Sequence, residues 1–312
     1  MLIFVSRRLV ESIPVLVLAS IVVFSMLHLV PGDPVDAMMG AAAFQSTTRQ
    51  DVVERIRDEL GLNEPLPVQY GHWALNAIRG DLGQSFIRNR PVGDLILERL
   101  PSTLELAGLS MLIAATLGLG CGLLAALKRN TPIDGLVMAV SLGGVSMPSF
   151  WFALLLILVF SVVLGLLPAT GSGTFAQLIL PAVALGYEGV ALIARLTRAS
   201  MLEVMTRPYM TTARAKGLPP RAVIVRHALR NALIPVVTVV GLQVGRLLAG
   251  SVIVETVFAR QGIGQLAIEA ILQKDYPLVQ GIILLTASTY VVANLLVDLS
   301  YGYLDPQIRA AA

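Results

Sequence analysis

The sequence predicts an all-α, polytopic membrane protein with six transmembrane helices and both termini in the cytoplasm. Three observations predict it. Hydrophobic residues make up 55% of the 312 and charged residues only 14%, against roughly 25% charged in a soluble protein, and mean hydropathy is +0.77. Apolar runs recur along the chain at about the 20 residues that a helix needs to cross a bilayer core. The denser basic clusters fall between alternate runs, as the cytoplasmic excess of Lys and Arg requires. The net charge of +3 decides little, because its placement matters more than its sum.

Residues 9–30 form the first predicted span, with Glu11 its only charge. Arg7 and Arg8 precede it and set the N-terminus inside. The run is too long for the core of a signal peptide, and PGDP follows it in place of a small-residue cleavage site. Residues 31–101 differ in kind, holding ten acids and seven bases. They carry a helix-like patch at 50–60 and turns marked by Gly, Pro and Asn in GLNEPLP and RGDLGQS. Loops beyond about 60 residues escape the charge rule. The segment is therefore extracytoplasmic, as a structured loop or as a docking surface for an external partner.

Five more spans are expected. Residues 106–127 end at Lys128 and Arg129, on the inner side. Residues 136–167 are too long for one ideal span, so they tilt, kink or run past the interface. Gly143, Gly144 and Pro148 supply a kink there, with Trp151 inside the helix. Residues 168–177 lack Lys and Arg, as an external loop should, and 178–197 return inward to Arg195 and Arg198. Residues 233–254 cross outward, 255–277 are expected as a loop, and 278–299 return. Glu255 and Asp298, near span ends, are expected at the interface. The chain divides into residues 1–100, the first transmembrane helix with its extracytoplasmic segment, and 101–312, five spans with a basic cytoplasmic loop at about 203–230.

That basic loop has its own local logic. Residues 195–230 carry eight Lys or Arg and a single acid, Glu203. Pro208 suits the first turn of a helix, where its missing N–H is no loss. Residues 209–216 then make about two turns. Gly217 can adopt the left-handed conformation that closes a helix, and Pro219-Pro220 blocks continuation. Pro220 starts the next helix. A helix this short is unstable alone in water, so it is held by the membrane surface, as an interfacial hairpin, or by another protein.

Several chemistries find no support. A phosphate-cradling loop ends in Gly-Lys-Ser/Thr, yet none of Lys128, Lys216 and Lys274 follows a glycine. The GxSxG nucleophile pattern is absent. His28, His72 and His227 lie far apart in sequence and Cys121 is the single cysteine, so neither a metal cluster nor an internal disulfide is expected. Glu188 and Arg246 are charges within apolar segments, where they either line a translocation path or pair structurally, Arg246 being long enough to snorkel. Gly118, Gly122, Gly241, Gly245 and Gly250 let helices approach closely in lipid.

Thr212-Ala213-Arg214-Ala215-Lys216-Gly217, followed by RHALRNALIP, resembles the cytoplasmic coupling loop of ABC-importer permeases. More narrowly, the chain resembles the first permease subunit of dipeptide, oligopeptide, glutathione and nickel importers. PGDP, GLNEPLPVQY, GDLGQSF, ERLPSTLELA, RNALIPVVTVVGLQ and SVIVETVF extend the resemblance over essentially the whole chain, in order. Thr212 stands at the first position of the general Glu-Ala-Ala, Gln261 where the subfamily usually has proline, and Arg246 where an uncharged residue is common.

The resemblance implies a type I ABC-importer permease fold in the bacterial inner membrane, and no enzymatic activity of the chain's own. It implies a peptide importer, with nickel or another small solute as the alternative within the family and a stand-alone secondary carrier as the alternative outside it. The implied partners are a second homologous permease, two ATP-binding subunits that hold ATP and Mg, an external solute-binding protein and the lipid bilayer, with no nucleic acid. No cofactor is implied for this chain. Ala213, Ala215 and Gly217 are expected to dock on an ATPase groove, Arg214 and Lys216 to reach its acids, and Thr212 to complete the loop.

Overall fold

A computed structural model of the chain describes residues 2–29 and 63–304, with side chains at 10–25 and 63–295. The patch at 50–60, PGDP and the side chain of Asp298 lie outside these. The described residues are helical, with sheet pairing limited to an isolated bridge between Gln84 and Pro91. In order the helices are α1 (Leu2–Leu29), α2 (Leu66–Ile78), α3 (Val92–Leu127), α4 (Pro132–Ser146), α5 (Ser149–Val163), α6 (Phe175–Met205), α7 (Pro208–Ala215), α8 (Pro220–Val257), α9 (Ile263–Leu272) and α10 (Tyr276–Leu304).

Four of these, α3, α6, α8 and α10, are long and apolar enough to cross a membrane. Counting α4 and α5 as one broken span makes five, and α1 contributes an apolar helical segment, Val10–Ser25. The helices expose Leu112, Leu117 and Leu124 on α3 and Val162 and Val163 on α5, a surface suited to lipid tails rather than to water.

The central pair is α3 against α6. A Cβ on Gly122 would stand 2.5 Å from the Ala194 carbonyl oxygen, and one on Gly186 2.8 Å from that of Ser110. Backbone therefore meets backbone at both places, the close approach that substitutes in lipid for a hydrophobic driving force. Leu106, Leu185, Leu247, Val254 and Phe258 close the core where α8 joins the pair.

Two expectations are corrected. Residues 136–167 do not form one kinked span: α4 and α5 diverge by 113°. Pro148 lacks an N–H and pushes Met147 out of the helical region, to φ −87° and ψ 129°, so the chain breaks instead of bending. Trp151 consequently lies in the first turn of α5, half exposed. The expected apolar run 106–127 forms the C-terminal part of α3, which starts earlier, at Val92, and accommodates Pro101. The connection 255–277 is no plain loop, because it contains α9, which buries Ile263, Leu266 and Ala270 on one face.

Candidate functional site

Three places gather the residues that local chemistry singles out. The first is the hairpin of α7. Pro208 occupies its first turn, and Gly217 takes φ +74°, the left-handed conformation that ends a helix. The Gly217 N–H donates to the Arg214 carbonyl (3.0 Å) and the Lys216 N–H to that of Thr212 (3.1 Å). Pro220 opens α8, which begins with a π-helical segment, Val223–Leu229.

Met210 and Ala213, three apart and so on one face, are buried with Ala126 of α3, Met201 of α6 and Val223, Ala228 and Ala232 of α8. This corrects one expectation. The short helix is held by its own bundle, so its length alone does not call for a partner. Ala213, expected on the docking face, points inward and anchors the helix. Thr212, Arg214, Ala215, Lys216 and Gly217 remain exposed, and among the described residues Arg214 and Lys216 form no ion pair. The result is a rigid, apolar-footed helix that offers a small cationic face.

The second place lies at the opposite end of the bundle. Glu255, expected at the interface, is fully buried. Its carboxylate accepts from the Thr103 hydroxyl (2.7 Å) and from the N–H groups of Gly264 (2.8 Å) and Gln265 (3.2 Å) in the first turn of α9. The Thr103 hydroxyl in turn accepts from the Ile263 N–H (2.8 Å). An anion facing a helix N-terminus satisfies the otherwise unpaired N–H groups there. The glycines make room for it: a Cβ on Gly262 would stand 2.3 Å from the carboxylate.

Arg260, also buried, donates to the Ser102 carbonyl and to Glu105 (3.0 Å). Asp275 accepts from the Ser85 hydroxyl and the Phe86 N–H, and Arg88 donates to Glu269 at 2.6 Å. Together these fasten the segment before α3 and the helix α9 into one cap.

The third place is a cleft at the break between α4 and α5. Met147, Ser149 and Phe152 from the break line it with Tyr187 and Glu188 of α6 and Gln243 and Arg246 of α8. Glu188 lies close to the middle of the 31-residue α6. The structure brings the two sequence-predicted charges together, with Arg246 Nη1 3.7 Å from Glu188 Oε1 and both side chains more than 60% exposed. A charge at mid-membrane costs about 3 kcal/mol on insertion scales, so this face borders water or another subunit. Phe152 and Tyr187 stack at 4.3 Å and wall one side. The Tyr187 hydroxyl donates to the Val140 carbonyl (2.9 Å).

Residues 118–310 match the family described as binding-protein-dependent transport system inner membrane component, and residues 1–107 match its N-terminal companion. The chain is 43% identical over 309 residues to the glutathione transport system permease protein GsiC of Escherichia coli K12, covering 99% of each. It is 44% identical over 337 residues to the di/tripeptide transport system permease protein DppB of Pseudomonas aeruginosa UCBPP-PA14, again covering 99% of each. In fold it is similar to a chain of the MetNI methionine ABC transporter in an inward-facing conformation. That match has a TM-score of 0.59 at 20% identity, covering 68% of this chain and 96% of that one. A second match is a chain of an amino acid ABC transporter, with a TM-score of 0.53 at 19% identity, covering 66% and 92%.

Proposed function

Because this chain belongs to the family of binding-protein-dependent transport system inner membrane components, we propose that it forms half of the pore of an ATP-driven importer for small peptides. The observation that carries the cargo is the near full-length similarity, at 43–44% identity, to permeases named for glutathione and for di- and tripeptides. As a member of that family it is an integral component of the bacterial inner membrane.

The pore is completed by a second homologous permease, fed by an external solute-binding protein and driven by two ATP-binding subunits. ATP and Mg are held on those subunits, and ATP hydrolysis is theirs. The exposed face of α7 docks on an ATP-binding subunit, Arg214 and Lys216 meeting its acidic residues. Both termini are cytoplasmic. That orientation is supported by Lys128, Arg129, Arg198 and the α7 hairpin, which gather at one end of the bundle. The cap formed by residues 79–91 and α9 then faces outward, toward the binding protein. Movement of α7 with the ATP-binding subunits switches the pore between inward-open and outward-open packings.

Purification of the tagged chain in mild detergent tests the assembly. Two ATP-binding subunits and a second permease should be recovered with it, and the complex in proteoliposomes should take up dipeptides when ATP is supplied. Repeated recovery of the chain alone, with intact detergent-resistant folding, would contradict the assembly.

A further inference from the structure

We infer that Glu188, Gln243 and Arg246 form a subsite for a zwitterionic peptide, in which Glu188 takes the ammonium, Arg246 the carboxylate and Gln243 the peptide bond. The inference rests on the peptide-cargo reading and adds to it the residues of this chain that touch the cargo.

Three independent features converge on the cleft. The charges stand 3.7 Å apart, beyond the usual 2.7–2.9 Å of a closed charge-assisted bond, and neither has another partner among the described residues. Gln243 is 96% buried, since only 4% of it is exposed, yet its amide forms no hydrogen bond among the described residues. A buried, unpartnered primary amide that lines a cleft offers both a donor and an acceptor, the complement of a peptide bond. It lies three residues before Arg246, on the same face of α8. Finally, the broken backbone at Met147-Pro148 borders the same cleft. Non-helical backbone at membrane depth is tolerated where it lines a watery cavity or is buried in protein.

The chemistry selects the ligand class. Empty, the site is neutral because its two charges face each other. Filled by a zwitterion, each charge gains an opposite one and the site stays neutral. A free divalent cation would gain the Glu188 carboxylate but meet the Arg246 guanidinium beside it. Among the described residues no group of three His, Cys, Asp or Glu gathers to hold one. In this conformation the cleft holds about 60 Å³, room for roughly two waters, so ligand entry parts the pair. Both side chains are exposed enough to swing aside, and the small Gly189 and Gly250 border them.

The test is equilibrium binding of radiolabelled L-alanyl-L-alanine to the solubilised complex of permeases and ATP-binding subunits, with the binding protein omitted. Unlabelled dipeptide, its N-acetyl derivative and its C-terminal amide compete. For the wild type, each blocked peptide should compete about tenfold less well, equivalent to about 1.4 kcal/mol. Glu188→Gln should abolish the penalty for the acetyl group alone, and Arg246→Gln the penalty for the amide alone. Gln243→Leu should weaken all three alike.

An ion pair that only braces α6 against α8 predicts instead that both Gln variants lower complex yield without changing the order of competitors. That result overturns the subsite, as does wild-type binding without discrimination or no binding at all. ATP-driven uptake by the wild-type complex with its binding protein judges the cargo separately. Absence of any peptide uptake defeats the cargo reading itself, whereas uptake with an unchanged competitor order defeats only the subsite.

Discussion

Replacing Gly217 by valine is expected to cut ATP-driven uptake by a factor of about 5–30 while leaving the complex assembled. Gly217 sits at φ +74°, fully open to solvent, with no atom within 4 Å of where a Cβ would be. No steric clash with a neighbour follows, so the whole penalty is conformational. It amounts to about 1–2 kcal/mol for an ordinary L-residue in the left-handed region, which corresponds to that factor. A β-branched residue lies at the upper end of the range.

The chain relieves the strain by rotating out of the turn, and Pro219-Pro220 prevents the following residues from compensating. The α7 helix then leaves its angle to α8, although Met210 and Ala213 still hold its foot. Gly217→Asn should retain most activity, because asparagine tolerates this conformation. Uptake and solute-stimulated ATP hydrolysis in proteoliposomes measure the effect together. Wild-type levels of both in the valine variant would remove the rigid hairpin from the mechanism.

Glu255→Leu is expected to destabilise the folded chain more than any loss of an exposed charge, by about 4 kcal/mol. The substitution leaves the Thr103 hydroxyl and the N–H groups of Gly264 and Gln265 facing an apolar side chain. Each buried donor left unsatisfied costs about 1–3 kcal/mol. Gly262 and Gly264 add to the effect, because the space they leave is shaped to a carboxylate and not to a branched hydrocarbon. At roughly 2–4 °C per kcal/mol for a domain of this order of size, the thermal midpoint in detergent should drop by about 10 °C. Glu255→Gln should fall between, since its amide oxygen still accepts. An unchanged midpoint in both variants would show that the cap is not held by this carboxylate.

The hairpin was legible because its determinants are local: Pro208, Gly217 and Pro219-Pro220 each act on their own backbone. The spans within α3, α6, α8 and α10 were legible for the same reason, hydropathy being a property of one segment. The orientation of Ala213 was not, because a single alanine on a two-turn helix carries no sign of which face the bundle will cover. The cap formed by residues 79–91 and α9 was invisible for a different reason. Thr103 and Glu255 are 152 residues apart, and Ser85 and Asp275 are 190 apart, so no window of sequence contains both partners.

Helix α9 did leave a signal, because Ile263, Leu266 and Ala270 fall at helical spacing after Gly262. Likewise Pro148 announced a disturbance without its size, because the 113° angle depends on what α4 and α5 pack against. Glu188 and Arg246 could be placed at depth by counting along their helices. Their meeting, and the presence of Gln243 beside them, required the packing of α6 on α8.

If the exposed face of α7 meets an ATP-binding subunit, cysteines placed on it should cross-link to that subunit in the assembled complex. The cysteines are introduced by Arg214→Cys or Lys216→Cys in a Cys121→Ala background. Both positions should form adducts with an ATP-binding subunit, in yields that change between the nucleotide-free and ATP-bound complex. Ile78→Cys, exposed on α2, should form none. Absence of any adduct from residues 214 and 216 in an intact complex would contradict this contact.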